Sequence, residues 1–303
     1  MRVLVTGGKG TIGTRLVNEL KRRGMEVWTC DTKHSHEDRY WRCDISQYRQ
    51  LSKILEDYAF DLVYHLAAEF GRWNGEEYYE QLWMTNVIGT KNLIRLQEKH
   101  RFRMVFSSSS EVYGDYHGIM AEDIMELEEI RQMNDYALSK WVNELQIVNS
   151  EAMHDTETVR IRLFNVYGPG EYYTPYRSAV ALFTFRALHD LPFTVYLNHQ
   201  RTSLYIDDCV RSMADITDHF IPGQVYNLAG SQLHDMKFIS DLVLHHLGKS
   251  DHLVLYKDAE PFTTQIKFPD ISKAKRELNF SPLVSLEDGI PETVAWMQEV
   301  HTK

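Results

Sequence analysis

The sequence has few cysteines, no block of basic residues and no long apolar run, and each absence narrows what the protein can be. Its three cysteines, Cys30, Cys43 and Cys209, are odd in number and widely spaced. That excludes a disulfide framework or a paired-cysteine metal site and fits a reducing cytoplasm. A formal charge of −10 without a cationic stretch argues against nucleic acid or an anionic membrane surface as the main partner. No apolar stretch approaches the ~18 residues of a membrane span, and a strand-like run beginning at residue 2 leaves no room for a signal peptide. There are 14 histidines but no H-E-x-x-H. His245 and His246 are neighbours pointing to different sides of a helix, so they read as surface histidines and no metal is expected. No repeat or low-complexity tract appears, and 303 residues allow about two domains with a sizeable core.

What is present begins at the N-terminus. Arg2 to Thr6 is dense in β-branched and apolar residues, as in a strand buried on both faces. A turn with Gly7, Gly10 and Gly13 spaced G-x-x-G-x-x-G follows, then Ile12, Leu16, Val17 and Leu20 at helical intervals up to Gly24. A second strand, Met25 to Cys30, ends on Asp31. Strand, glycine turn, helix and strand-end acid together form a dinucleotide fingerprint. The glycines let the backbone approach a pyrophosphate, the helix N-terminus at Thr11 and Ile12 offers N–H groups, and Asp31 accepts from the ribose hydroxyls. A carboxylate at Asp31 repels a 2′-phosphate and favours NAD. Lys9, Lys33, His34 and Arg39 are the local counter-evidence, cations that could meet such a phosphate or simply be solvated.

The chain then alternates strand and helix. A loop through Tyr40 and Trp41 leads to Cys43, Asp44 and Ile45 and a polar helix over 47–58, with Asp44 either capping near Ser46 or accepting from an adenine amino group. Asp61 to Ala68 reads as a third strand whose end, Leu66, Ala67 and Ala68, leaves room for a ligand. An aromatic, charged loop spans 70–80, and a helix over 77–100 carries Asn86. A fourth strand over 102–107 runs into Ser107, Ser108, Ser109, Ser110 and Glu111 at the sheet's carboxyl edge. An acidic stretch over 117–133 is either a lid or a solvated face. A helix over 136–150 follows, then a fifth strand over 158–164. Beyond Gly170 the alternation is irregular, helical and loop-rich apart from strands near 193–196 and 225–229. The expectation is an α/β fold, a doubly wound parallel sheet of the Rossmann type with a smaller interleaved C-terminal lobe. The domains read as 1–168 plus 202–231 for the cofactor and 169–201 plus 232–303 for substrate.

Tyr136 and Lys140 are four residues apart and share one helix face. Turning a tyrosine into a base near neutrality needs a shift of ~3 units, about 4 kcal/mol, which a nearby ammonium and a nicotinium ring supply together.

These stretches resemble the extended short-chain dehydrogenase/reductases, the NAD-dependent nucleotide-sugar epimerase/dehydratase family. The likeness rests on TGGKGTIG, Asp31, Asp44-Ile45, HLAA at 65–68, Asn86-Val-Ile-Gly-Thr and SSSSEVYG at 107–114. It continues through Tyr136-x-x-x-Lys140, RLFNVYGPG at 162–170, Arg201 with Tyr205-Ile-Asp-Asp, and Pro269-Asp-Ile-Ser-Lys. The resemblance implies Tyr136 as base, Lys140 on the ribose and lowering the tyrosine pKa, and Ser109 on the sugar hydroxyl being oxidised. It also implies Asn165 and Arg201 on substrate, and a homodimer formed through the helices near 77–100 and 136–150. Such enzymes take a hydride from C4 of a sugar on a nucleoside diphosphate.

After that oxidation the sequence leaves a fork. Ser110 and Glu111 replace the Asp-Glu pair of 4,6-dehydratases. Hydroxyl, Ser110 and Glu111 together with Arg177 resemble uronic acid decarboxylases, whereas Lys267 stands where those usually have arginine, and a lysine is not equivalent to an arginine fork. A 4-epimerase demands least of the sequence and is the leading expectation. Decarboxylase and 4-keto sugar reductase are the alternatives, with a non-catalytic NAD-binding sensor on the same fold a fourth.

Overall fold

The computed structural model describes residues 1–301. In chain order its elements are β1 (Arg2–Thr6), α1 (Thr11–Arg22), β2 (Glu26–Asp31), β3 (Tyr40–Arg42), α2 (Tyr48–Asp57), β4 (Leu62–His65), α3 (Arg72–Glu77) and α4 (Tyr79–Trp83). A π-helical turn (Met84–Ile88) leads into α5 (Gly89–His100), β5 (Arg103–Ser109), a 3-10 turn (Ser110–Tyr113), β6 (Ile119–Met120), α6 (Ile124–Leu127), α7 (Asp135–His154), β7 (Thr158–Leu163) and β8 (Val166–Tyr167). Then come α8 (Ala179–Leu188), β9 (Phe193–Tyr196), β10 (Gln200–Thr202), β11 (Leu204–Tyr205), α9 (Ile206–Asp215), β12 (Val225–Leu228), β13 (Leu233–Asp235), α10 (Met236–Leu247), β14 (Val254–Lys257), β15 (Ile266–Pro269), α11 (Ser272–Leu278) and α12 (Leu286–His301).

Packing divides the chain into two compact units, residues 1–112, 134–162 and 213–226 in the first and 113–133, 163–212 and 227–303 in the second. This division by contact differs from the expected division by role chiefly in assigning 113–133 and 202–212 to the second unit.

The first unit is built on a seven-stranded sheet in the order β12-β7-β5-β4-β1-β2-β3, with β3, β2, β1, β4 and β5 paired in parallel. Val3, Leu4 and Val5 of β1 and Val63 and Tyr64 of β4 are fully buried, as strands covered on both faces require. Leu16, Val17 and Leu20 form the buried stripe of α1, and Leu51, Ile54 and Leu55 that of α2. The chain leaves β1 toward β2 and β3 on one side and returns as β4 on the other. That reversal opens a crevice at the carboxyl ends of β1 and β4, where ligands bind in sheets of this kind.

The second unit holds a four-stranded sheet, β13-β10-β15-β6, and two two-stranded ones, β11-β8 and β14-β9. The strands β13, β14 and β15 correct the reading of the C-terminal region as helix and loop. Three or four residues each, they pair only with distant segments, so no local period marks them. Two further corrections fall in the first unit. Tyr40 to Arg42 is a strand paired with β2, and the supposed loop over 70–80 contains α3. The acidic stretch over 117–133 carries β6, whose Ile119 and Met120 pair with Phe268 and Pro269. No helix among the described residues is long and apolar enough to cross a membrane.

Candidate active site

The glycine turn after β1 is pressed against its neighbours at three points. The N–H groups of Gly7 and Gly8 donate to the Cys30 carbonyl at 2.8 and 3.2 Å, and that of Gly10 donates to the Gly7 carbonyl at 3.0 Å. Gly7 has φ +72°, and a Cβ there would lie 2.7 Å from the Ala67 nitrogen; a Cβ on Gly13 would lie 2.1 Å from the Gly7 oxygen. Only hydrogen fits at these positions. Gly10 caps α1 without a side-chain hydrogen bond, and the first turn of a helix carries N–H groups with no intrahelical partner, the arrangement a pyrophosphate needs. The far wall is the exit of β4, where Leu66 and Ala67 donate to the backbone oxygen and the hydroxyl of Thr6 at 3.2 and 3.3 Å; Ala68 follows. The donor set and the missing side chains fit a dinucleotide.

Asp31 closes this cradle. Its two carboxylate oxygens accept from the N–H groups of Lys9, at 2.9 Å, and Lys33, at 3.1 Å, which fixes the carboxylate at the end of β2. The neighbouring cations are engaged locally. Lys9 pairs with Glu37, Lys33 donates to the Lys9 carbonyl at 3.1 Å, and Arg39 lies 3.6 Å from Glu26. Asp44 accepts from Ser46 N–H at 2.9 Å, an Asx turn ahead of α2 rather than a cap on it, because the N-cap position is Gln47. Ile45 is buried and meets α5, where a Cβ on Gly89 would come within 2.7 Å of it. Asn86, in the π-turn, donates both amide hydrogens internally, to the Glu69 carbonyl and the Ser139 hydroxyl, each at 3.0 Å, and accepts from Glu69 N–H at 2.8 Å. It clamps the segment after β4 onto α7.

The hydroxyl cluster and the tyrosine helix converge. Asn134 caps α7 by accepting from Ala137 N–H at 2.8 Å, which sets the start of the helix one residue before Tyr136. The Ser109 hydroxyl is near enough to the Tyr136 phenol to favour its ionisation, and Lys140 donates to the Ser107 carbonyl at 2.8 Å with its ammonium 5.9 Å from the Tyr136 ring centre. Ser110 is buried in the 3-10 turn. The Glu111 carboxylate stands 3.8 Å from Arg72 and 3.5 Å from the Asn134 amide. Burial pushes the Tyr136 phenol up to about 12, with the Ser109 hydroxyl opposing and the Glu111 charge adding to the rise. Burial draws Lys140 down to about 8 against the pull of Glu144. The Lys140 ammonium is directed to the Ser107 carbonyl, and burial is the main cause of the raised phenol pKa.

Of the five residues expected on substrate, Ser109 lies in the first unit and the other four in the second. Asn165 sits at φ +42° and donates to the Thr202 carbonyl at 3.1 Å. Arg177 is mostly buried beside Glu171, with its pKa lowered by burial and partly restored by that carboxylate. Arg201 donates to the Gln200 and Gln265 carbonyls at 2.8 and 2.6 Å and lies 3.0 Å from His199 Nδ1. Lys267 is 2% exposed. The register sets Arg201 beside Lys267 on one side and His234 on the other, a row of three basic residues across three strands that includes one, His234, absent from the sequence reading.

Sequence reasoning also missed Arg72, Asn134, Glu144 and Arg162. The last two form a fully buried ion pair at 2.8 Å, and the signal for Glu144 was its place one further turn after Tyr136 and Lys140.

The sheet, its switch point and the Ser, Tyr and Lys arrangement define a Rossmann-type dehydrogenase-like enzyme of the extended short-chain class. A family model described as the NAD dependent epimerase/dehydratase family matches residues 3–229, and the chain belongs to that family. It is 28% identical to a UDP-N-acetyl-alpha-D-glucosaminuronate decarboxylase of Bacillus cytotoxicus, over 99% of this chain and 98% of the relative. It is 26% identical to a UDP-glucuronate 4-epimerase of Thermodesulfobacterium geofontis, over 98% and 91%. Among solved structures it resembles the UDP-glucuronic acid 4-epimerase from Bacillus cereus in complex with UDP-glucuronic acid and NAD, with a TM-score of 0.87 and 26% identity, covering 99% of this chain and all of that one.

Proposed function

We propose that the protein is an NAD-dependent 4-epimerase of a nucleotide sugar, with a UDP-hexuronic acid as the substrate class. The observation that carries the reaction is the neighbouring pair of hydroxyls, Ser109 and Tyr136, with Lys140 one helical turn on. Glu111 is drawn to Arg72 and Asn134, and epimerisation asks for no acid or base beyond the tyrosine. The substrate class is supported by the three proteins above, each named for a UDP-uronic acid. NAD, when bound, accepts the C4 hydride and gives it back. The protein's part is to hold Ser109 on the C4 hydroxyl and let Tyr136 Oη take and return its proton. Lys140 keeps a positive charge at the ribose, Asp31 holds the adenosine ribose, and Asn165, Arg177, Arg201 and Lys267 are the second unit's candidates for substrate contact.

A second reading, decarboxylation of the same acid, is favoured by the Ser110–Glu111 pair and by the Bacillus cytotoxicus relative. A 4-keto uronic acid is a β-keto acid, so both reactions share the oxidation and part only in how the carboxylate is held against the carbonyl plane. Proton NMR of the purified protein with UDP-, GDP-, CDP- and dTDP-sugars and uronic acids, without added cofactor, separates them. Two C4 epimers at unchanged mass are expected. A pentose with CO₂ makes it a decarboxylase, and turnover only with added reduced nicotinamide and a 4-keto sugar makes it a reductase.

The reading includes a homodimer. Leu138, Leu145, Val148 and Met153 leave an exposed apolar stripe along α7, flanking a hollow lined by Val142 and Ala152. Met84 and Ile88, also exposed, extend the apolar surface into the π-turn, which packs against α7. A second copy presenting the same stripe would cover it as a helix bundle. Sedimentation is expected to show a dimer, and a Leu145→Glu/Val148→Glu variant a monomer; a monomeric wild-type protein overturns this part.

A further inference from the structure

Glu144 is fully buried on α7, one turn past Lys140 and two past Tyr136. Its carboxylate joins three elements. It accepts from the Ser108 hydroxyl at the end of β5 and from Arg162 of β7 through Nε at 3.0 Å and Nη2 at 2.8 Å, and Arg160 lies 3.8 Å away. Ser108 stands between the two residues of β5 that touch the tyrosine and lysine: the Ser107 carbonyl receives Lys140 and the Ser109 hydroxyl meets Tyr136. Side chains alternate along a strand, so Ser108 points away from Ser109 and is free to be gripped from behind.

We propose that Glu144 is a positioning residue for the Ser109, Tyr136 and Lys140 constellation, locking the serine end of β5 against the helix that carries the other two. A buried carboxylate is costly unless hydrogen-bonded and paired. This one satisfies the condition by drawing β5 and β7 onto α7, which converts an electrostatic requirement into a fixed distance between Ser109 and Tyr136. It also acts on Lys140 through charge. The titratable and charged groups around the ammonium are Glu144 and Tyr136 on its own helix and His65 from β4, while β5 offers the Ser107 carbonyl. Burial and the Lys140 charge bring His65 down to about 3, so it is neutral. Arg160 and Arg162 of β7 face Glu144. Glu144 is therefore the negative charge that opposes the desolvation of Lys140 and keeps it protonated near neutrality.

Removing Glu144 alone strands Arg162 in the interior and risks the fold. The test uses the paired replacement Glu144→Met/Arg162→Met, with Ser108→Ala as the milder variant. Each is purified with its NAD, and unfolding is followed to confirm the native state. Lysine labelled with ¹³C at Cε reports the Lys140 titration, assigned by Lys140→Arg, and kcat and KM are measured beside it. The Lys140 midpoint in the folded double variant is expected to fall by about one pH unit. We expect kcat to fall by roughly tenfold or more, because small misplacements of reacting groups are costly, with KM for the sugar nucleotide little changed. Ser108→Ala keeps the charge, so it should lower kcat without moving the midpoint. Wild-type kcat in the folded double variant overturns the proposal, and so does a lower kcat with an unmoved Lys140 midpoint, which assigns the pair to folding alone. If the double variant does not fold, wild-type kcat in Ser108→Ala overturns it instead. The proposal rests on the epimerase-type site described above; wild-type protein inactive on every sugar nucleotide counts against that reading, whereas the Lys140 titration still tests Glu144.

Discussion

Phenylalanine at Tyr136 is expected to lower turnover by about three orders of magnitude, the scale of a lost general base, while the fold and the bound NAD remain. The ring is packed within the first unit and phenylalanine preserves its shape. What disappears is one oxygen, beside the Ser109 hydroxyl. Ser109 and Lys140 are left with no group to receive the C4 proton: Lys140 is held to a carbonyl, and Glu111 is drawn toward Arg72. The pH behaviour follows from the sign of the shift. Burial favours the neutral phenol and holds it up to about 12. A positive charge brought next to it, such as a nicotinium ring, would favour the phenolate and lower that value. A difference titration at 295 nm, wild type minus Tyr136→Phe, should show the midpoint moving down when NAD is bound. Undiminished turnover in the variant would remove Tyr136 from the mechanism.

The parts of this molecule that were legible in the sequence are those whose cause is local. The β1 run, the glycine turn, the stripe of Leu16, Val17 and Leu20 and the acid closing β2 all follow from neighbours within a few residues. The serine cluster and the Tyr136–Lys140 spacing were legible for the same reason. What was missed depends on partners far along the chain. The three-residue β3 exists because it pairs with β2, and β15 because it lies beside β10 and β6. Asn86 reads in the sequence as a cofactor contact or a packing group, and only the fold shows its amide bonded to Glu69 and Ser139, 17 and 53 residues away. Glu144 has no local signal beyond its place one turn past Lys140 until Arg162, 18 residues on, is folded against it. Burial of polar groups is decided by tertiary pairing, and no periodicity announces it.

Alanine at Gly13 is expected to leave the protein without NAD. A Cβ there would lie 2.1 Å from the Gly7 oxygen and 3.0 Å from the Gly8 Cα, and both of those contacts are backbone, so no side chain can swing aside to relieve them. Either α1 or the glycine turn must move, and the two together frame the proposed pyrophosphate cradle at the helix N-terminus. A displacement there acts on every donor at once, and the loss should reach roughly 3 kcal/mol, a hundredfold in affinity. Gly24 supplies the contrast. It has φ +78° but nothing within 4 Å of its added Cβ, so alanine there strains the backbone by about 1 kcal/mol and should weaken stability without touching the cofactor. Nucleotide released from each purified variant by heat, identified by chromatography, and a binding titration with NAD separate the two effects. Full NAD occupancy in Gly13→Ala would mean that the turn after β1 is not the cradle, and that its close packing serves the strand–helix junction alone.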